Sequence, residues 1–262
     1  MKKNTMTLMA AGVCAAVVAQ VANAAMVAQW DFQTTTNGGT AAVTPATGTT
    51  ANTTPKVYVA NFGSGTLYLD GTNYSSNFYL PATGSTNAEI SAFGGTALNA
   101  TGSMSTTTSG IAALAIQGGA ASVPAGTYNA NGKAMVFKFS MSGLSNLAVS
   151  YAVQRTASGF TTQQWDYSTD GTTWSSAATI TGIQASFAAG ATPANVVSTV
   201  SVASGLNNAA TVYMRVTFTG ATSATGNNRI DNFQFNADAI PAPGCAALVG
   251  LAGLVASRRR RN

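Results

Sequence analysis

The fold is decided by residues 134–155, which read AMVFKFSMSGLSNLAVSYAVQR. Large apolar side chains occupy every second position in two runs of this stretch. The runs consist of Met135, Phe137, Phe139 and Met141, and then of Leu147, Val149, Tyr151 and Val153. Smaller or polar residues, Lys138 among them, fill most positions between them. A period of two is typical of a β-strand with one buried face and one solvated face, so each run predicts a strand.

The same alternation recurs in residues 212–218, where apolar side chains oppose Tyr213, Arg215 and Thr217. Residues 26–32 alternate well enough to predict an opening strand. From this pattern we expect the following side chains to be buried: Met135, Phe137, Phe139, Tyr151, Val212, Met214 and Phe218.

Two turn signals predict hairpins. Residues 57–61 and 66–70 flank Gly63-Ser64-Gly65, and Asp170-Gly171 lies between residues 165–167 and 173–174. Glycine accepts the positive φ that tight hairpin turns require. No segment of the body has a helical apolar stripe. The strand and turn patterns therefore predict an all-β fold for the body, residues 25–238, namely an antiparallel β-sandwich of jelly-roll-like type.

The first 24 residues are typical of a secretory signal peptide, with a signal helix. Lys2 and Lys3 form a positive start, and an uncharged apolar run follows over residues 6–19. Small residues at Ala22 and Ala24 predict cleavage by signal peptidase before Ala25. A membrane anchor is the alternative, but the run is too short for a hydrocarbon core of about 30 Å at about 1.5 Å per residue.

The net charge of +5 arises at the two ends of the chain. Lys2, Lys3 and the cluster Arg258, Arg259, Arg260 and Arg261 supply half of the 12 basic residues, and the body holds all seven acidic ones. The body therefore lacks the basic patch that nucleic-acid binding needs. The two cysteines of the chain, Cys14 and Cys245, lie in its two ends, so the body has no disulfide and no thiolate metal site.

The last residues, 239–262, have three parts. Pro241, Ala242, Pro243 and Gly244 form an extended segment because each proline fixes φ and restrains its predecessor. Residues 245–256 are apolar and predict a short helix, and the four arginines follow. Arginines favour the cytoplasmic side, so this order predicts a short-lived anchor in the inner membrane. An anchor that is never cut is the alternative reading.

This three-part order resembles the C-terminal sorting signal of PEP-CTERM proteins. The resemblance implies cleavage by an exosortase-like membrane protease and delivery to the cell surface or the extracellular matrix. It covers about a tenth of the chain. The family's Pro-Glu-Pro motif is here Pro241-Ala242-Pro243, which lacks the acidic residue.

The body offers little for catalysis. The chain has no histidine, which removes the usual base at neutral pH and the commonest metal ligand. Glu89 is its only glutamate, whereas a glycosidase needs two facing carboxyl groups. We therefore expect no catalytic residue, no metal and no cofactor. A calcium ion between Asp31 and Asp231 is conceivable, but two carboxylates are too few to predict one.

Carbohydrate binding is the favoured functional hypothesis. Trp165, Tyr167 and Trp174 lie close together across the predicted hairpin, and flat aromatic faces can stack on sugar rings. Arg155 could add hydrogen bonds. The partner would be an extracellular polysaccharide. Two alternatives stay open. In one, Trp165 and Tyr167, which share strand parity, form the core, with Arg155 paired to Asp231; in the other, the protein is a structural component of a surface layer or biofilm matrix.

Overall fold

The body is an antiparallel β-sandwich, as the alternation predicts. The structure is a computed structural model that describes residues 24–32, 56–80, 87–101, 112–187, 197–202 and 204–241. Residues Ala24–Ile240 form a compact unit. Two sheets enclose one hydrophobic core, and every strand pairing within them is antiparallel. The described ranges hold strands, turns and bends but no helix.

The first sheet has seven strands, in the order β13-β10-β15-β1-β3, with β6 also pairing with β15 and β5 pairing with β6. The strands are β1 (Ala24–Trp30), β3 (Phe62–Gly63), β5 (Ile90–Gly94), β6 (Ala112–Gln117), β10 (Leu144–Arg155), β13 (Val197–Val202) and β15 (Asn227–Ala239). The long strands β10 and β15 form its centre, and a short separate hairpin joins β7 (Ala121–Ser122) to β8 (Thr127–Tyr128).

The second sheet has six strands, in the order β12-β11-β14-β9-β4-β2. They are β2 (Val57–Val59), β4 (Gly65–Tyr68), β9 (Ala134–Phe139), β11 (Thr162–Ser168), β12 (Ser175–Ile180) and β14 (Val212–Thr219). Both predicted hairpins occur in this sheet, as the pairs β2–β4 and β11–β12.

Aromatic rings fill the space between the sheets. Phe137 on β9 lies 5.1 Å from Trp30 and 4.8 Å from Phe233 of the opposite sheet, measured between ring centroids. All seven side chains expected to be buried are buried. The period-two pattern therefore assigned the inner face of both sheets correctly, because a strand places alternate side chains on opposite faces.

The pattern missed some elements. Strand β5 and the β7–β8 hairpin lie in a Gly-, Ser- and Thr-rich stretch where only residues 111–116 showed an apolar run. Strand β5 is held by pairing with β6 rather than by an alternation of its own. Trp174, expected near a strand end, lies just before β12 begins at Ser175.

Most of the two terminal predictions fall outside the described residues. Ala24 and Ala25 are described and open β1, exposed, and Pro241 is described and exposed. Ala22, the remainder of the sorting motif and the arginine cluster lie outside. In the ranges that the structure describes, no helix is long and apolar enough to cross a membrane.

Candidate functional site

The candidate site is the outer face of the six-stranded sheet. Register places Asp166 of β11 beside Arg215 of β14, and Tyr213 of β14 beside Lys138 of β9. These side chains alternate with the core residues of the same strands, so they point away from the core. Tyr68 of β4 lies on the same outer face, beside the buried Leu67. We call this surface the outer face below.

Trp174 is held on the outer face by a stacked arginine. The Arg215 guanidinium carbon lies 4.2 Å from the centroid of the Trp174 ring. Arg215 Nε donates to Asp166 Oδ2 at 2.9 Å, and Gln164 Nε2 donates to Asp166 Oδ1 at 3.2 Å. Asp166 is nearly buried while Trp174 is half-buried. The chain of contacts fixes one face of the indole and leaves part of the ring at the surface.

A pair of tyrosine rings, Tyr74 and Tyr213, lies on the same outer face. Tyr74 is 49% exposed, and its ring stands edge-on to Tyr213 with the centroids 5.3 Å apart. Tyr74 also packs against Gly171 in the β11–β12 turn, where a Cβ atom would lie only 1.9 Å from Tyr74 Cε2. The absence of a side chain at Gly171 therefore allows Tyr74 to cross from its own loop to this turn.

The structure corrects the role expected for Trp165. Its side chain is fully buried and stacks on Phe137, with the ring centroids 5.9 Å apart. Its Nε1 donates to the Tyr151 hydroxyl at 2.9 Å. Trp165 follows the strand parity that faces the core, so the core reading holds and the ring has no face for a sugar.

Tyr167 and Arg155 also lie away from the outer face. Tyr167 shares the parity of Trp165 and is half-buried against the core, close enough to Gly205 that a Cβ there would lie 2.6 Å from Tyr167 Cε2. Arg155 ends β10 and donates to the carbonyl oxygens of Thr156 and Ala157, at 3.3 and 3.0 Å. Of the four residues predicted for ligand binding, only Trp174 is on the outer face.

The expected pairing of Arg155 with Asp231 is wrong. On β15, Arg155 is opposite Asn228, and Asp231 instead holds the segment after β5. Asp231 Oδ2 accepts from the backbone N–H of Thr96 at 2.9 Å. Asn232 Nδ2 donates to the Leu98 carbonyl oxygen at 2.8 Å. Asp231 and Asn232 therefore hold residues 96–98, which follow β5, against β15 of the seven-stranded sheet.

Burial raises the pKa of the Asp231 carboxyl well above its ordinary value. The nearby Asp31 carboxylate adds to the rise, while the N–H donors of Thr96 and Asn232 oppose it. Removing a carboxylate from water disfavours its charged form, which explains the direction. Among the described residues no three histidine, cysteine, aspartate or glutamate side chains cluster as a metal site would require.

The other residues of the outer face have a weaker signal in the sequence. Lys138, Tyr213 and Arg215 were recognised as the outward positions of predicted strands, but nothing in the sequence shows that β9 and β14 are neighbours. Tyr74 lies between strands, where no periodicity applies. Its position depends on a loop that is distant in sequence from the rings it contacts.

No family model matches the chain, and no curated protein matches it. Among solved structures, TmCBM61 in complex with β-1,4-galactotriose is similar at 9% identity and a TM-score of 0.34, over 56% of this chain and 81% of that one. The K1 cleaved adhesin domain of Lys-gingipain from Porphyromonas gingivalis is similar at 9% identity and a TM-score of 0.32, over 56% of this chain and 82% of that one. A xylan-binding CBM22 domain is similar at 15% identity and a TM-score of 0.30, over 58% of this chain and 83% of that one. Similarity at this level assigns neither a family nor a ligand to this chain.

Proposed function

We propose that the protein is exported to the cell surface and that its body binds carbohydrate on the outer face. The observation that carries the proposal is the pair of partly exposed rings on that face, Trp174 and Tyr74, with the Arg215 guanidinium stacked on Trp174. Sugar rings present C–H groups on their faces and hydroxyl groups around their edges. A site for them therefore needs flat apolar surfaces with a few polar groups beside them.

The outer face supplies both kinds of group in a fixed arrangement. Trp174 and Tyr74 provide partly exposed aromatic surface, Arg215 stacks on Trp174, and Gln164 binds the same Asp166 carboxylate as Arg215. Gln164 is itself held by Thr179, whose hydroxyl donates to Gln164 Oε1 at 2.6 Å. Side chains that are already held in place lose little freedom when a ligand binds, which favours affinity.

Affinity electrophoresis and calorimetry with a panel of plant and bacterial polysaccharides test this proposal. We expect Trp174→Ala to weaken binding by about 30-fold or more, the effect of losing an aromatic residue that dominates an interface, about 2 kcal/mol. Phe93→Ala is the matched control, because Phe93 also stacks with an arginine, Arg229 at 4.6 Å, but on the seven-stranded sheet. The control should bind as the parent does.

Two results would count against the proposal. Equal binding by the Trp174 and Phe93 variants would remove the outer face as the site. Failure of the parent to bind any polysaccharide in the panel would favour a purely structural component of a surface layer or biofilm matrix. The second role suits a chain in which only 7% of residues are charged.

The two ends support the export half of the proposal. The signal peptide would be removed by signal peptidase, and the C-terminal helix would then stay in the inner membrane until an exosortase-like protease cuts near Pro241. Crossing hydrocarbon costs each arginine at least about 2.5 kcal/mol, so the cluster would hold the C-terminus in the cytoplasm. The proline segment would remain on the outer side of the membrane.

Cell fractionation and intact mass separate the two parts of the tail. Replacing Pro241 and Pro243 by alanine should trap uncut precursor in the inner membrane. Replacing residues 258–261 by glutamine should release or mislocalise the precursor, while Ser257→Ala serves as the control. Normal maturation of both the proline and the arginine variants would show that the tail is no sorting signal.

A further inference from the structure

A cleft on the outer face is lined by Tyr68 and by Lys138, the cross-strand neighbour of Tyr213. It has a volume of about 460 Å³ and opens between β2, β4 and β9, with the Gly63–Gly65 turn at its rim. Its side chains include Val59, Thr66, Tyr68 and Lys138. Sites for small ligands occupy roughly 300–1,000 Å³, so the cleft is large enough for part of a saccharide.

Lys138 is a charged group of this cleft, and no carboxylate in the part of the chain that the structure describes neutralises it. Its Nζ donates to Asn73 Oδ1 at 3.2 Å and lies 5.4 Å from the centroid of the Tyr213 ring. No carboxylate among the described residues lies within ion-pair distance of it. By contrast, Arg215 is paired with Asp166, and Lys133 is paired with Glu89.

The loop that supplies Asn73 has a strained backbone. Asn73 and Tyr74 have φ values of 45° and 67°, and the Ser75 N–H donates to the Thr72 carbonyl oxygen at 3.0 Å. Such a turn favours Asn and Gly, and a tyrosine in the left-handed region costs about 1–2 kcal/mol. Strain of this kind is often found where a side chain must be held for a function. Here it holds the Asn73 amide against Lys138 and the Tyr74 ring against Tyr213.

We propose that this cleft binds an acidic saccharide, with Lys138 Nζ donating to a carboxylate or sulfate of the sugar and Tyr68 lying beside its ring. The inference rests on the proposed function and names the class of its ligand. Asn73 and Tyr213 orient the ammonium group without removing its charge, so the cleft keeps a positive charge that a neutral sugar would not use. An anion would also bring a charge-assisted hydrogen bond.

Calorimetry of the full chain in mild detergent tests the inference with four probes. Oligogalacturonate is compared with its methyl ester, which keeps the sugar ring and removes the charge, and dextran sulfate is compared with dextran. We expect the parent to prefer the charged member of at least one pair by about tenfold or more, the worth of one hydrogen bond to a charged group. The pair that shows the preference identifies carboxylate or sulfate.

Variants locate the preference. Lys138→Gln should abolish it, and Lys138→Arg should keep it because the charge remains. Arg155→Gln removes the same charge far from the cleft and should leave the preference intact. The affinity for the charged probe should fall as salt rises in the parent, and less so in Lys138→Gln. Thermal unfolding of each variant checks that the fold is retained.

The outcomes separate the two proposals. If charged and neutral probes bind equally well and Trp174→Ala weakens both, the protein binds carbohydrate but the acidic specificity is wrong. A preference that survives in Lys138→Gln also overturns it. If none of the probes nor any polysaccharide of the wider panel binds, the proposed function itself fails, and this inference fails with it.

Discussion

Replacing Tyr151 by phenylalanine tests whether the buried polar network between the two sheets stabilises the fold. The Tyr151 hydroxyl accepts from Trp165 Nε1 at 2.9 Å and donates to Gln163 Oε1 at 2.5 Å. All three side chains are fully buried, and the network joins β10 of one sheet to β11 of the other. One oxygen therefore satisfies a donor and an acceptor at once.

The size of the effect follows from these two bonds. Removal of the hydroxyl leaves Trp165 Nε1 and Gln163 Oε1 without that partner, and each unsatisfied buried group costs about 1–3 kcal/mol. Phenylalanine keeps the ring, including its contact with Phe233 at 4.8 Å, so little packing is lost. We expect a loss of about 2–6 kcal/mol in the free energy of unfolding. For a domain of this size that lowers Tm by about 4–24 °C.

Urea unfolding followed by tryptophan fluorescence measures the loss. Tyr58→Phe is the matched control because Tyr58 is also buried, packed on Phe32 at 6.3 Å, while its hydroxyl makes no hydrogen bond to any described residue. The control should change the free energy of unfolding by less than about 1 kcal/mol. If Tyr151→Phe changed it by as little as the control, the network would contribute nothing and the reasoning would be wrong.

Three further predictions concern a turn, a buried acid and the mature end. Gly171→Ala should displace Tyr74, because the new Cβ would lie 1.9 Å from its ring, and should weaken saccharide binding measured by calorimetry; Gly132→Ala, with φ also positive at 85° but open space around it, should leave binding unchanged. Burial raises the pKa of Asp231, so the folded state favours the protonated form. The stability that Asp231 contributes is present below its unfolded pKa and is lost as pH rises through its folded pKa. The free energy of unfolding of the parent minus that of Asp231→Asn, measured by urea unfolding, should therefore shrink as pH rises. A difference that stayed constant with pH would contradict a raised pKa for Asp231. N-terminal sequencing of the exported protein should begin at Ala25, and an exported chain that still carried residue 1 would contradict the signal peptide.

Much of the fold could be predicted from the sequence because strand alternation is a local property. Met135 and Phe137 are two residues apart and so must share a face if the segment is extended, whatever surrounds it. The same logic identified Lys138 and Arg215 as outward-facing. It failed for β5, where the glycine-rich sequence has little pattern and the pairing partner β6 decides the structure.

The candidate site was only partly predictable because it is built across strands. Trp165 and Trp174 were both predicted to bind sugar, yet Trp165 is in the core and Trp174 lies over Arg215. The difference arises in the β11–β12 hairpin, where a register shift follows Trp165 and β12 begins only after Trp174. Neither feature leaves a clear mark on the sequence.

The sequence by itself determined the β-class of the body and most side chains of the core, because both depend on neighbours along the chain. It also predicts the export signals, which stay predictions. Only the tertiary structure decided which outward-facing residues meet. Lys138 and Tyr213 become neighbours because β9 pairs with β14, and Tyr74 joins them because its loop crosses to the Gly171 turn. Those contacts link residues far apart in the chain. They form because the two sheets must bury their apolar faces against each other, and the sequence of one segment does not show which segment it will pack against.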